Sequence, residues 1–201
     1  MKEFIGFVTI VLAFVALIPY IADIFRRKTK PHIFTWIVWA IVTILAFLGQ
    51  WQKGGGAGSW TTGVTGLLTI FIAFISFKYG SKDITKSDTL IFIAALLAII
   101  PWLLTSDPTL SIIILTTVDV LAFIPTMRKT IKDPGSETFV SYVLHAIRHG
   151  LSITALAQYN IATYLYPSAL AIMNVIIMLI ILKSRYLKRY LNSKSSPPSH
   201  S

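Results

Sequence analysis

Seven stretches of this chain are close to the length of a membrane-spanning helix and carry few charges: residues 4–25, 31–51, 59–78, 88–105, 109–127, 137–158 and 163–184. A helix needs roughly 20 mainly apolar residues to cross about 30 Å of hydrocarbon. Only helices and closed barrels satisfy their own backbone polar groups in that medium. Seven such helices take about 140 residues, most of a chain of 201, which leaves no room for a separate soluble domain. The sequence thus predicts an all-α integral membrane protein: residues 1–184 as a single membrane domain, residues 185–201 as a basic, partly disordered tail. The first run has no small-x-small cleavage pattern after its apolar core, so it is read as a span and not as a signal peptide.

Composition agrees. Charged residues make up 13% of the chain and hydrophobic ones 55%, against about 25% charged in soluble domains; the mean hydropathy is +0.72. The net charge of +10 has a location. Arg26, Arg27, Lys28 and Lys30, then Lys78, Lys82 and Lys86, then Arg128, Lys129 and Lys132, then the basic residues of 183–194 fall on one side of the alternating spans. Only Lys2 and Lys53 fall on the other. Basic loops stay in the cytoplasm, which predicts a multi-pass protein of the cell membrane with its N-terminus outside and its C-terminus cytoplasmic. The surplus charge then meets anionic lipid headgroups on the cytoplasmic side, and none is left over for nucleic acid. Trp51, Trp60, Trp102, Tyr159, Tyr164 and Tyr166 lie near the outer ends of spans and read as an aromatic belt. With no Cys in the chain, disulfides, thiolate nucleophiles and Cys-ligated metals are excluded.

The chain also repeats itself. Placing residues 16–48 over 122–154 without a gap aligns Ala16 with Ala122, Ile18-Pro19 with Ile124-Pro125, Thr35-Trp36 with Ser141-Tyr142, and Ala40-Ile41 with Ala146-Ile147. Three helices reverse the direction of the chain, so a fourth must intervene before a second triplet runs parallel to the first. Residues 88–105, with no polar side chain between Leu90 and Leu104, suit a lipid-facing linker. The expected fold is two parallel three-helix bundles, residues 4–78 and 109–184, joined by that helix.

This 3+1+3 order, with a proline toward the inner end of the first and fifth spans and a basic turn after it, resembles the SWEET and PQ-loop superfamily (transporter-opsin-receptor type) over residues 4–184. The Pro of the family's Pro-Gln pair recurs in Pro19-Tyr20 and Pro125-Thr126, while the Gln is absent from both. The Trp36-Ile-Val-Trp39 element is also similar to the Trp-x-x-Trp of the PnuC-type vitamin transporters. The resemblance implies a transporter gated by prolines, here Pro19, Pro31 and Pro125, with Glu137 at the fourth matching position. It also implies a substrate-bonding Asn on the third helix of each triplet, which is Asn174 in the second and Thr69 in the first, and a stacking Trp on the second helix, which is Trp39, with His145 at the matching place.

The residues point to the same depth independently. Asp119 and Arg148 lie roughly 12–16 Å from the inner ends of their spans at 1.5 Å per residue, near the midplane, where ionisable groups are costly and mark function by default. Matching depth and opposite charge make them an expected ion pair, either a static packing device or part of a site. Thr138, Ser141, His145, Arg148, His149 and Ser152 recur every three or four residues, so one stripe of the sixth span is polar. That stripe must face protein or a water-filled cavity. The repeat sets Trp39, Val42 and Thr43 opposite His145, Arg148 and His149, an aromatic wall facing a charged one. Asn174 has two open readings, a substrate contact or an interhelical hydrogen bond.

The expected function is movement of a small polar solute (sugar, nucleoside or vitamin-like) by alternating access about Trp39, Thr69, Asp119, His145, Arg148, His149 and Asn174. His145, His149 and Asp119 permit proton coupling. A receptor or sorting protein without transport activity is the alternative. No hydrolase or metalloprotease motif is present, and no Lys precedes Lys183 in the last span, which excludes a retinal Schiff base there. No catalysis, cofactor or metal is called for; a homo-oligomer is left open.

Overall fold

A computed structural model describes residues 1–27, 31, 33–80, 86–132 and 139–195. Their regular structure is entirely helical: α1 (Lys2–Phe25), α2 (Ile33–Gln52), a 3-10 turn at Gly56–Ser59, α3 (Trp60–Tyr79), α4 (Lys86–Leu97), α5 (Ile100–Thr105), α6 (Thr109–Lys132), α7 (Phe139–Thr154) and α8 (Ile161–Ser195). Four segments, Lys2–Phe25, Ile33–Gln52, Gly56–Tyr79 and Ile161–Lys183, are long and apolar enough to cross a bilayer, and Phe92–Thr105 and Thr109–Leu121 are shorter apolar helices.

Three boundaries differ from the sequence expectation, each for a local reason. The fourth span is two helices because Pro101, in the first turn of α5, has no amide hydrogen to return to the preceding turn. The sixth run, whose first two residues lie outside the described ones, gives 16 described residues of helix, about 24 Å at 1.5 Å per residue, and ends before residue 158 because the chain leaves the helix at Ala155 and packs Ala155 and Leu156 fully inside. The seventh runs on to Ser195 as one helix of 35 residues, so residues 185–195 of the expected tail continue α8.

The distribution of polarity is inverted relative to a soluble protein. Phe4, Phe74 and Leu104 are more than two-thirds exposed (71%, 75% and 80%), along with most large apolar side chains of the outer faces of α1, α3 and α4. Thr9, Gln50, Ser76, Asp119, Arg148, His149, Ser152 and Asn174 are buried. Soluble monomers rarely expose apolar patches on this scale, whereas in lipid tails they carry no penalty and the polar groups are the ones that must turn inward.

Helix α3 packs on both α1 and α2, and α8 packs on both α6 and α7. Close approach in the α2–α3 hairpin comes from small residues: a Cβ at Gly66 would sit 2.6 Å from Ile44 Cδ1, and one at Gly63 would sit 2.9 Å from the Phe47 ring. Two apolar clusters result. Leu17, Ile24, Trp36, Ile72 and Ile75 join α1, α2 and α3; Val38, Val42, Ala46, Ala95, Ala98, Ile112, Leu115 and Leu170 join α2, α4, α6 and α8. Helix α2 belongs to both, and α7 crosses the other way to pack on α1 and α3 as well as α8.

Candidate functional site

Asp119 on α6 is buried, and its carboxylate accepts a hydrogen bond from the Tyr166 hydroxyl of α8 at 3.1 Å. The Trp39 indole of α2 lies within polar reach of the same carboxylate. The Thr43 hydroxyl, one turn further along α2, lies within reach of the Tyr166 hydroxyl. Trp39 is 37% exposed and stands edge-on to Trp36 with ring centroids 5.1 Å apart. Trp36 in turn tilts against Tyr20 at 5.2 Å, which makes an aromatic row from α1 across α2 to the carboxylate.

Arg148 on α7 has other partners. One guanidinium nitrogen bonds the Thr65 hydroxyl of α3, and the other contacts His149 Nε2 at 3.1 Å. The expected ion pair between Asp119 and Arg148 is therefore not formed: each side chain is committed to neutral partners, and Tyr166 is within electrostatic reach of both. Burying a charge requires hydrogen bonds to it, and for these two the polar groups of Thr65, His149, Tyr166 and Trp39 supply them.

The remaining expected residues take separate places. His145 lies one turn from Arg148 on the same face of α7, and its Nδ1 has no hydrogen-bond partner among the described residues. Thr69 and Asn174 are buried but bond within their own helices, Thr69 Oγ1 to the Gly66 carbonyl at 2.8 Å and Asn174 Nδ2 to the Leu170 carbonyl at 2.7 Å. Neither joins the Asp119 or the Arg148 cluster. Pro19 is exposed within α1, which continues through it to Phe25; Pro31 is buried just before α2; Pro125 lies within α6 and its side chain is outside the described residues.

Tyr166 is a correction. Read from the sequence as part of the interfacial belt, it is 3% exposed and holds the buried carboxylate, whereas Trp51 and Tyr159 of that belt are more than half exposed. The sequence does contain a signal for it: Thr163, Tyr166, Leu170 and Asn174 are spaced by three and four, one face of α8. Thr65, Gln50, Thr62 and Thr116 went unmarked as well. Gln50 is fully buried with both amide atoms unpartnered, and Thr62, Thr116, His145, Arg148 and His149 each keep one buried polar atom without a partner among the described residues.

One end of the bundle, the lysine-poor one, is tied shut above these groups. Lys53 Nζ meets Asp107 Oδ2 at 2.7 Å, Gln52 Nε2 donates to the Ser106 carbonyl at 3.2 Å, and Asn160 Nδ2 donates to the Lys53 carbonyl at 2.9 Å. The Ala157 and Gln158 amides donate to the Gly55 and Gly54 carbonyls at 3.0 and 3.1 Å, and Lys2 Nζ to the Leu156 carbonyl at 2.6 Å. Gly54 adopts φ +79° and Gly56 φ +57°, backbone that an L side chain resists, so the turn after α2 depends on glycine. The hydrogen bonds from Lys53 and then from Thr109 hold the Asp107 carboxyl well below the usual carboxylate range. A shallow cleft of about 540 Å³ on this rim is lined by Lys53, Thr109, Asn160, Ile161 and Tyr164. A second, of about 300 Å³, is apolar and lies among Ile10, Ile44, Phe47, Trp60, Val64 and Leu67. Neither is lined by Asp119 or Arg148.

Comparison of the chain with protein-family models, curated proteins and solved structures gives no match.

Proposed function

We propose that the chain is a membrane transporter that moves a small polar solute of sugar, nucleoside or vitamin-like size by alternating access about a midplane site. The two moving bodies are α1–α3 and α6–α8, joined by the broken α4–α5 linker. The observation that carries this reading is the set of buried hydrogen-bonding atoms without a partner among the described residues, on Thr116, His145, Arg148 and His149 and, nearer the helix ends, on Gln50 and Thr62. Their helices belong to both halves of the chain. A static membrane bundle has no reason to retain unpaired polar atoms in its interior, because each costs free energy; a pathway that must accept polar solute and water does.

The helix contacts support two related halves. The third helix of each triplet packs between the other two, and α2 and α7, at matching places in the repeat, each cross to the opposite triplet: α2 to α6 and α8, α7 to α1 and α3. A site at such a crossing changes access when the halves rock. The hydrogen-bonded rim then closes one mouth. In this reading the rim faces outside and the basic helix ends face the cytoplasm of a cell membrane. His145 and His149 beside the site allow a proton to accompany the solute.

Flux tests the reading. Purified protein in proteoliposomes is expected to show saturable uptake of a polar solute that raises its melting temperature, with Asp119→Asn and Arg148→Ala each impairing uptake while still inserting. Parental flux in both variants would remove the site from this place, and a bound solute without flux would make the chain a receptor or sorting protein.

A further inference from the structure

We infer that the solute is an organic anion and that Arg148 binds its carboxylate. The inference rests on the transport reading for the word solute, but the site itself stands on geometry. Arg148 is 3% exposed, its charge is permanent, and among the described residues no carboxylate forms an ion pair with it. Its partners, Thr65 and His149, are neutral-type groups. Asp119, the buried acid of α6, is occupied by Tyr166 and Trp39.

The hydrogen-bond chemistry narrows the ligand further. A guanidinium has donors only, so His149 Nε2, 3.1 Å from Arg148 Nη2, acts as acceptor, and the proton of the neutral imidazole sits on Nδ1. His149 Nδ1 and Arg148 Nε are both buried without a partner among the described residues. Two adjacent residues therefore hold back two N–H donors and offer a full positive charge, and His145 Nδ1 lies one helical turn away, also unpartnered. A neutral polyol brings hydroxyls but leaves the charge uncompensated. A carboxylate brings only acceptors, the negative charge, and a planar fork that matches guanidinium. One cation calls for one anion, so the solute class is a small monocarboxylate. Its shared oxyanion chemistry extends to inorganic phosphate and to an anionic lipid headgroup, which the experiment separates.

The test uses the full chain in neutral maltoside detergent with no anionic lipid, and matched probes that differ in charge alone: acetate against acetamide, and benzoate against benzamide. Thermal melting is followed over graded concentrations. The expected result is that both carboxylates raise the melting temperature, with a half-saturating concentration at least about tenfold below that of the matching amide, and that inorganic phosphate acts more weakly. Arg148→Met is expected to abolish the response while melting at or above the parental temperature, because it removes an uncompensated buried charge. A purely structural Arg148 would instead lower it. Arg148→Lys, which keeps the charge and loses the fork, should retain a weakened response. Equal responses to acid and amide in the parental protein, which need no variant, would overturn the inference. So would an absent carboxylate response, a preference for phosphate, a response that appears only with anionic lipid, or a carboxylate response that survives in Arg148→Met. Carboxylate binding without flux would sink the transport reading and leave the site. Flux of a neutral solute with no carboxylate binding would do the reverse.

Discussion

Asp119 on α6 and Arg148 on α7 are both buried, yet each is held by neutral donors or acceptors. Hydrogen bonds to charged groups contribute about 1.5–3 kcal/mol each, whereas a buried ion pair returns little beyond its desolvation cost. Separate coordination occupies the Asp119 carboxylate with Tyr166 and Trp39 and leaves Arg148 Nε without a partner among the described residues. The charge pair at the rim is different in kind. Lys53 and Asp107 are 33% and 48% exposed in their side chains, and the pair reads out pH. The folded-state carboxyl of Asp107 is held below its ordinary value of about 3.9 by Lys53 and Thr109. Between those two values the unfolded chain binds the proton and the folded chain does not, so stability rises with pH across that interval. The contribution is fully present above about pH 5 and is lost as pH falls through the ordinary carboxylate range toward the lower folded value. Melting curves of the parental protein and Asp107→Asn should therefore differ at neutral pH and converge as pH is lowered below about 4. A difference that stays constant down to about pH 2 would show that the carboxylate charge does not act through the bridge.

At the level of the elements, four of the seven expected runs were legible as helices of spanning length, because their apolar stretches are long and unbroken, and the polar stripe of α7 was legible because Arg148, His149 and Ser152 fall at spacings that one helix face imposes. The break in the fourth span was legible in principle, since Pro101 removes a backbone donor, but a run without polar residues drew attention to composition over geometry. Tyr166 was harder. A tyrosine near a helix start satisfies the interfacial rule, and only the packing of α8 against α2 and α6 turns it to the carboxylate. Least legible of all were the close approaches that fix helix ends. The 3-10 turn lies so near the end of α7 that a Cβ on Gly58 would meet the Ser152 carbonyl oxygen at 2.5 Å and the Leu156 nitrogen at 2.6 Å, both backbone atoms that cannot step aside. Gly58→Ala is expected to destabilise the protein by about 1–3 kcal/mol and to loosen the end of α7. Gly150, in the body of α7, has nothing within 4 Å of its Cβ position, so Gly150→Ala should be neutral or stabilising by about 0.5–1 kcal/mol through helix propensity alone. Thermal melting of the two variants in one detergent checks the contrast; equal effects would mean that the turn does not bear on α7.

Across the whole molecule, the unpartnered polar atoms and the tied rim belong to one arrangement. The rim contacts join the start of α1, the turn after α2, the entry to α6 and the turn between α7 and α8, so every hydrogen bond between the two halves at that end must break if the halves are to separate there. The side-chain bonds among them are half-buried, where such bonds contribute little, and on the transport reading their sum closes this end without making the closure permanent. Because the chain contains no cysteine, two introduced thiols would be the only ones present. Lys53→Cys with Asp107→Cys replaces the 2.7 Å salt bridge by a pair that a short, cleavable bis-thiol reagent can span. In proteoliposomes the double variant is expected to sustain flux before cross-linking, fall to the protein-free background once bridged, and recover when the reagent is cleaved, while either single variant treated with the reagent stays active. Loss of flux needs the rim to open in every cycle. Full flux through a bridged rim, verified by the mass of the cross-linked chain, would mean that solute does not pass between α2 and α6 at this end, and the pathway would have to be sought on the other faces of α7.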